Sequence, residues 1–182
     1  MPRLIIITAT AFFLAVIWLP AAFAADAAKI DTNATKALGD LLAQNIGAKA
    51  LSEEAVAVLV FPDILKSGLM IGGQHGNGAL IKDDTSTAYY KSVAVSYGLQ
   101  VGVQKFGYAL FFMNQDALNY LDQSDGWEIG VGPSLVVVDE GIATTLTSTT
   151  ARSDIYAFIF DQKGLMAGIG IQGTKITRIY PD

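Results

Sequence analysis

The stretch FGYALFFM, from Phe106 to Met113, constrains the fold of this chain more than any other feature of its sequence. Apolar residues occupy both alternating sets of positions, with Phe106, Tyr108, Leu110 and Phe112 in one set and Ala109, Phe111 and Met113 in the other. Successive side chains of a strand point to opposite faces, so a strand here is apolar on both faces and must be covered on both. The pattern predicts an α+β fold with a mostly antiparallel, barrel-like or strongly curled β-sheet and helices packed against it.

The chain after Leu51 reads mostly as short strands. Runs of β-branched and aromatic residues alternate with glycine or with Asp and Asn turns, as is typical of antiparallel β structure. The other predicted strands are AVAVLVF, YYKSVAVSY, LQVGV, WEIGVG, SLVVV, IYAFIF, LMAGIGIQ and KITRIY. A hairpin turn is predicted at Asp83 and Asp84 in IKDDTST. One short inserted helix is predicted from Gln115 to Gln123, with Asn114 as its cap.

The segment from Lys29 to Leu51 predicts an N-terminal amphipathic helix. Its apolar residues recur at spacings of three and four, which places them on one face: Ile30, Ala34, Leu38, Leu41, Leu42 and Ile46. The favoured interpretation is a helix packed on the core. The alternative is a membrane-contacting helix, whose apolar stripe enters the lipid interface while lysines meet the headgroups. The candidate lipid-binding residues are then Lys29, Lys36, Leu38, Leu41, Leu42, Ile46 and Lys49.

The opening MPRLIIITATAFFLAVIWLPAAFA has the features of a secretory signal peptide. An early Arg3 precedes an uncharged apolar run, and small residues at Ala22 and Ala24 suit a signal peptidase. We expect residues 1–24 to be removed and residues 25–182 to form a single domain that is soluble in the periplasm. An uncleaved membrane anchor is less favoured, because the apolar run is shorter than the ~20 residues that span a bilayer.

The composition argues against several classes of function. The chain has no cysteine, so it has no disulfide framework, no thiol nucleophile and no thiolate metal site. Its formal net charge of −5 argues against a general nucleic-acid binder, whose affinity depends on neutralising phosphates. No spacing typical of metal ligands is present, and we expect neither a metal nor a cofactor.

Two motifs that can carry chemistry are interpreted as structural. His75, the single histidine, lies in the glycine-rich stretch SGLMIGGQHGNGALI, where we expect a polar residue in a strand turn. A hydrolase that uses His75 is the least favoured function. The spacing GxGxxG occurs at residues 168–173, but the β-branched TKITRIY follows where a dinucleotide site needs a helix.

Four stretches, taken in order, resemble the SYLF domain, a lipid-binding family that includes yeast actin-patch proteins and many bacterial exported proteins. They are AVAVLVFPDILKSGLMIGGQHGNGALI, YGLQVGVQKFGYALFFMNQDALNYL, WEIGVGPSLVVVDEG and SDIYAFIFDQKGLMAGIGIQGTKI. The resemblance runs from about Leu38 to the C-terminus. It implies that the family glycines are structural: Gly68, Gly72, Gly76, Gly78, Gly164, Gly168 and Gly173.

The resemblance also implies a binding domain without enzymatic activity. Combined with the predicted signal peptide, it predicts a protein of the bacterial periplasm or cell envelope that binds phospholipid or lipopolysaccharide at a membrane surface. The alternative is an interaction protein of the envelope, which docks a protein partner through its helix and apolar strands.

Overall fold

The computed structural model describes residues 27–122, 126–138, 152–164, 171 and 173–181, and only the backbone at 69–70 and 96–101. The predicted signal peptide lies outside the described residues. Helices α1 (Ala27–Gln44) and α2 (Ile46–Ser52) precede strands β1 (Ala57–Lys82) and β2 (Thr85–Phe112). Then follow helix α3 (Gln115–Asn119), a 3₁₀ turn (Tyr120–Asp122), and strands β3 (Trp127–Glu128), β4 (Leu135–Val138), β5 (Ile155–Gly164) and β6 (Lys175–Ile179).

The predicted N-terminal helix is divided in two at Asn45. The backbone of Asn45 is extended, with φ −127° and ψ 109°, and its side-chain oxygen accepts a hydrogen bond from the Ala48 N–H at 2.9 Å. Asn45 is therefore the N-cap of α2, and it satisfies a backbone donor that has no partner within the helix. The apolar spacing continues through Asn45 to Ile46, so the sequence pattern does not reveal this break.

Two local predictions are confirmed. Asn114 caps α3, and its side-chain oxygen accepts a hydrogen bond from the Ala117 N–H at 2.8 Å. Asp83 and Asp84 join β1 to β2 with φ values of 49° and 58°, the left-handed pair that a two-residue hairpin turn requires. Asp and Asn tolerate this region better than other non-glycine residues, which is why the turn could be read from the sequence.

The described strands form a six-stranded sheet in which β2 is central. β1 pairs antiparallel with β2 along nearly the whole hairpin, from Ala57 opposite Phe112 to Lys82 opposite Thr85. On its other edge β2 pairs with β6 near its start and with β5 near its end, both antiparallel. β3 extends the sheet beyond β6, and β4 extends it beyond β5 as the one parallel pair among the described strands. The prediction of a mostly antiparallel sheet is confirmed.

The sheet is strongly curled because β1 doubles back on itself. Gly76 and Gly78 lie against the first part of the same strand, where an added Cβ would overlap the carbonyl oxygens of Asp63 and Val60. Glycine permits such a close backbone approach. Because β2 is hydrogen-bonded to β1 along its length, it bends together with β1, so the whole hairpin is bent. Register shifts in the β1–β2 ladder accompany the bend.

Both faces of the sheet are covered at the two ends of the β1–β2 hairpin, away from its central bend, as the alternation in 106–113 predicts. Ala109 and Phe111 pack with α1 and α2, and we name this side of the sheet the helix face. The other set of residues, Phe106 to Phe112, packs with α3, Trp127 and Ile176 on the opposite face. The predicted α+β class, with its N-terminal helical segment and short inserted helix, is confirmed.

Candidate membrane-contact surface

The apolar stripe of α1 faces the sheet. Leu41 is 8% exposed and belongs to the buried core of the helix face, and Leu38 and Leu42 pack against that core while half-buried. The hydroxyl of Tyr89 in β2 donates a hydrogen bond to Asp31 Oδ2 at 3.0 Å, which ties the start of α1 to the sheet. The favoured interpretation of a packed helix agrees with this arrangement.

The remaining candidate residues of the N-terminal segment are exposed to solvent. Lys29, Lys36 and Lys49 are exposed, and Ile46 is 85% exposed at the start of α2. Lys36 forms an ion pair with Asp40, whose hydrogen bond and negative charge raise the pKa of Lys36. The structure therefore separates the predicted set into leucines that contact the sheet and a lysine-rich surface, and its contact with lipid stays a prediction.

The helix face continues beyond the helices, and there its apolar side chains are exposed. We name this end of the face the ribbon patch, which consists of Leu65 (41% exposed), Ile71 (63%), Val93 (38%), Val95 (63%) and Val103 (60%). Side chains alternate along a strand, so Ile71 lies on the same face as Ala79 of the helix-covered core. By the same alternation Val103 and Lys105 share a face with Ala109. Leu65 lies opposite Lys105 in the ladder, so its side chain is on that face too.

Ladder register brings the members of the ribbon patch together with basic residues. Val93 pairs with His75 of β1 on one side and with Lys175 of β6 on the other. Lys91 precedes Val93 by two residues and is exposed on the same face. On the far side of β6, Glu128 of β3 pairs with Lys175. The patch is thus a row of aliphatic side chains with lysines at its border.

On the opposite face of the same strand segments, behind the ribbon patch, the side chains are polar and buried. Ser92 is fully buried and accepts a hydrogen bond from the Tyr108 hydroxyl at 2.8 Å, and Gln74 Nε2 donates to Thr174 Oγ1 at 3.0 Å. Burial raises the pKa of Tyr108, so its hydroxyl stays protonated and remains a donor. The stretch SVAV therefore has its serine buried and Val93 and Val95 exposed. The exposed Lys91, on the side of the valines, is the sequence signal that could have revealed this orientation.

The family glycines lie in several environments. An added Cβ on Gly68 would meet the Gly72 backbone at the bend of β1, and Gly76 and Gly78 allow the doubling back described above. Gly164 ends β5, and Gly173 has φ +71° before β6. Gly168 lies outside the described residues, as does most of the predicted strand LMAGIGIQ.

His75 lies within β1, so the predicted strand turn at this residue is wrong. Its side chain is exposed in the ladder opposite Val93. Asp83 and Asp84, the nearest carboxylates along the chain, are about eight residues away, or roughly 26 Å along an extended strand. Within the described residues no group of His, Cys, Asp or Glu has the arrangement of a metal site. The geometry gives a hydrolase based on His75 no support.

Residues 93–179 match a family model described as Ysc84, Las17-binding protein actin regulator. This match confirms the predicted SYLF resemblance. The SYLF-matching segment begins at Val93 and contains Val95 and Val103 of the ribbon patch, whereas Leu65 and Ile71 precede it. The description of the family names a binding role. No curated protein matches the chain. Among the helices that the structure describes, none is both long and apolar enough to cross a membrane.

Proposed function

We propose that this protein is an exported, non-enzymatic domain that binds phospholipid or lipopolysaccharide at a membrane surface through the ribbon patch. The observation that carries the proposal is the uncovered end of the helix face. Five aliphatic side chains are exposed there, with Lys91 and Lys175 beside them. Clustered exposed apolar side chains are typical of contact surfaces rather than of solvated protein surface.

The expected contributions to the free energy of membrane binding favour a reversible contact. Fully burying a Val, Leu or Ile side chain contributes about 1.5–3 kcal/mol, so completing the burial of a half-exposed one contributes about 1 kcal/mol. Each lysine close to an anionic surface adds about 1 kcal/mol. These contributions oppose the repulsion between an anionic membrane and a chain of net charge −5, so binding depends on the orientation of the domain.

Vesicle flotation tests the proposal. Protein purified from cells that express the full chain is mixed with vesicles of phosphatidylethanolamine and phosphatidylglycerol at low salt. We expect Val95→Asp combined with Ile71→Asp to abolish flotation, because both side chains are more than half exposed and their replacement leaves the core intact. The matched control is Val131→Asp, which changes a side chain of 60% exposure outside the patch. Equal flotation of both variants would refute the proposal.

The second candidate function is docking of a protein partner in the envelope. It is favoured by the family description, which names a protein that family members bind. Crosslinking at position 95 in cells distinguishes the two functions, since a docked partner gives one stoichiometric adduct and a lipid surface gives none.

Export is a separate part of the proposal. Arg3, the apolar run and the small residues before Ala25 support cleavage after Ala24. N-terminal sequencing of the protein from the periplasmic fraction is expected to begin near Ala25. An intact N-terminus in the membrane fraction would show that residues 4–19 are an anchor.

A further inference from the structure

A cavity of about 460 Å³ lies between the second half of α1 and strands β4 and β5. Its apolar wall includes Leu41, Val138, Phe158 and Phe160. Its volume is within the ~300–1,000 Å³ that is usual for small-ligand sites. A group the size of a water molecule takes up ~30 Å³, so the cavity has room for roughly fifteen such groups. The space suits a single alkyl chain.

The charged side chains that line this cavity are acidic. Asp40 and Asp161 line it, and no lysine or arginine does so among the described residues. Asp40 is already in an ion pair with Lys36, and the neighbouring Asp63 is in one with Lys105 at 2.6 Å. Asp161 forms no ion pair of its own in the described part of the chain, although its negative charge also acts on Lys36, so it can receive a cation at contact distance.

Asp161 also lines an adjoining cleft that contains Lys163. Within the residues that the structure describes, Lys163 has no ion pair either. One carboxylate and one ammonium group, neither of them in an ion pair, therefore border the same cleft beside the cavity, together with the paired Asp63 and Lys105. This pairing complements a headgroup that has an ammonium and a phosphate close together.

We infer that the cavity binds one molecule of a single-chain zwitterionic amphiphile of the lysophosphatidylethanolamine class. The alkyl chain occupies the space between α1 and the β4–β5 edge, the ammonium group meets Asp161, and the phosphate meets Lys163. This site is distinct from the ribbon patch. Monomer binding in the cavity and vesicle binding at the patch can therefore succeed or fail independently.

The test uses lysophosphatidylethanolamine below its critical micelle concentration, added to protein purified from cells that express the full chain. Titration calorimetry and native mass spectrometry are expected to show one molecule per chain. Affinity should rise about fourfold with each added methylene until the chain fills the cavity. Lysophosphatidylglycerol of the same chain length, which lacks the ammonium group, should bind about threefold to fivefold more weakly, as expected for a partly exposed charge pair.

Two matched sets of variants locate the site. Ala37 lines the cavity and Ala43 is exposed on the same helix, so Ala37→Leu should weaken binding at least tenfold and Ala43→Leu should leave it unchanged. Asp161→Asn should remove the preference for the ethanolamine headgroup. Its backbone has φ 52°, which asparagine adopts readily, so the variant keeps the local conformation. Val95→Asp should leave lysolipid binding unchanged.

Absence of stoichiometric binding below the micelle concentration would overturn the inference. So would equal affinities of Ala37→Leu and Ala43→Leu, because the chain would then lie elsewhere. Retention of the ethanolamine preference by Asp161→Asn would overturn the assigned role of the carboxylate.

Discussion

Replacing Leu41 by aspartate tests whether α1 is a structural helix. Leu41 is 8% exposed in the core between α1 and the sheet. Losing its burial costs about 2 kcal/mol, and placing an unpaired carboxylate there costs about 1–3 kcal/mol more. The adjoining cavity gives the carboxylate a route towards solvent, so we expect the lower part of this range, about 3 kcal/mol in total. That is a large fraction of a typical domain stability of ~5–15 kcal/mol.

Urea unfolding followed by far-UV circular dichroism measures this effect. With urea slopes of ~1–3 kcal/mol per molar for small domains, the midpoint for Leu41→Asp should fall by about 1–3 M. Ile46→Asp is the matched control from the same apolar stripe, since Ile46 is 85% exposed, and its midpoint should change by a few tenths of a molar at most. If the two variants unfold at the same urea concentration, α1 does not pack on the sheet in solution, which would refute its structural role.

Three further predictions concern the fold. Gly78→Ala should destabilise the domain by more than 2 kcal/mol in the same assay, because the new Cβ overlaps the Val60 carbonyl and the Phe61 ring, whereas Gly39→Ala, with open space around it, should be neutral or stabilising. Asn45→Ala should cost about 1 kcal/mol through loss of the α2 cap, and Asn45→Asp, which keeps the accepting oxygen, should recover most of it. The Ser134 and Asn114 hydrogen bonds lower the pKa of Asp154, so its stabilisation is present above the unfolded pKa of ~3.9 and is lost as pH falls below it. Asp154→Asn should therefore flatten the decline of melting temperature between about pH 4 and pH 2, and an unchanged decline would contradict this assignment.

The features that were predicted from the sequence are local or follow from alternation. The two-sided apolar pattern of 106–113 implies cover on both faces, and α1 and α3 supply it. The Asp83–Asp84 turn and the Asn114 cap follow from the conformational and hydrogen-bonding preferences of these residue types. Each depends on neighbours within a few positions along the chain.

The features that were missed depend on contacts between distant residues. The glycines of β1 indicate close approach, but only the structure shows that Gly76 and Gly78 meet Asp63 and Val60 of the same strand. β1 doubles back while remaining one continuous strand, so His75 lies in a strand and not in a turn. Apolar residues are ordinarily buried, so the sequence alone does not show that Val93 and Val95 are exposed. The cavity beside Asp161 depends on the distance between α1 and β5, which no local pattern encodes.

The most direct test of the membrane-contact surface uses the absence of cysteine from the chain. A single cysteine at Val95, at Val131 or at Ala43 can be labelled with the environment-sensitive fluorophore NBD without any background reaction. Anionic vesicles should shift the emission of the label at position 95 to shorter wavelength and increase its intensity, while the labels at positions 131 and 43 should be unchanged. A blue shift at position 43 with none at position 95 would contradict the account, because the helix and not the ribbon patch would then be the part that enters the membrane.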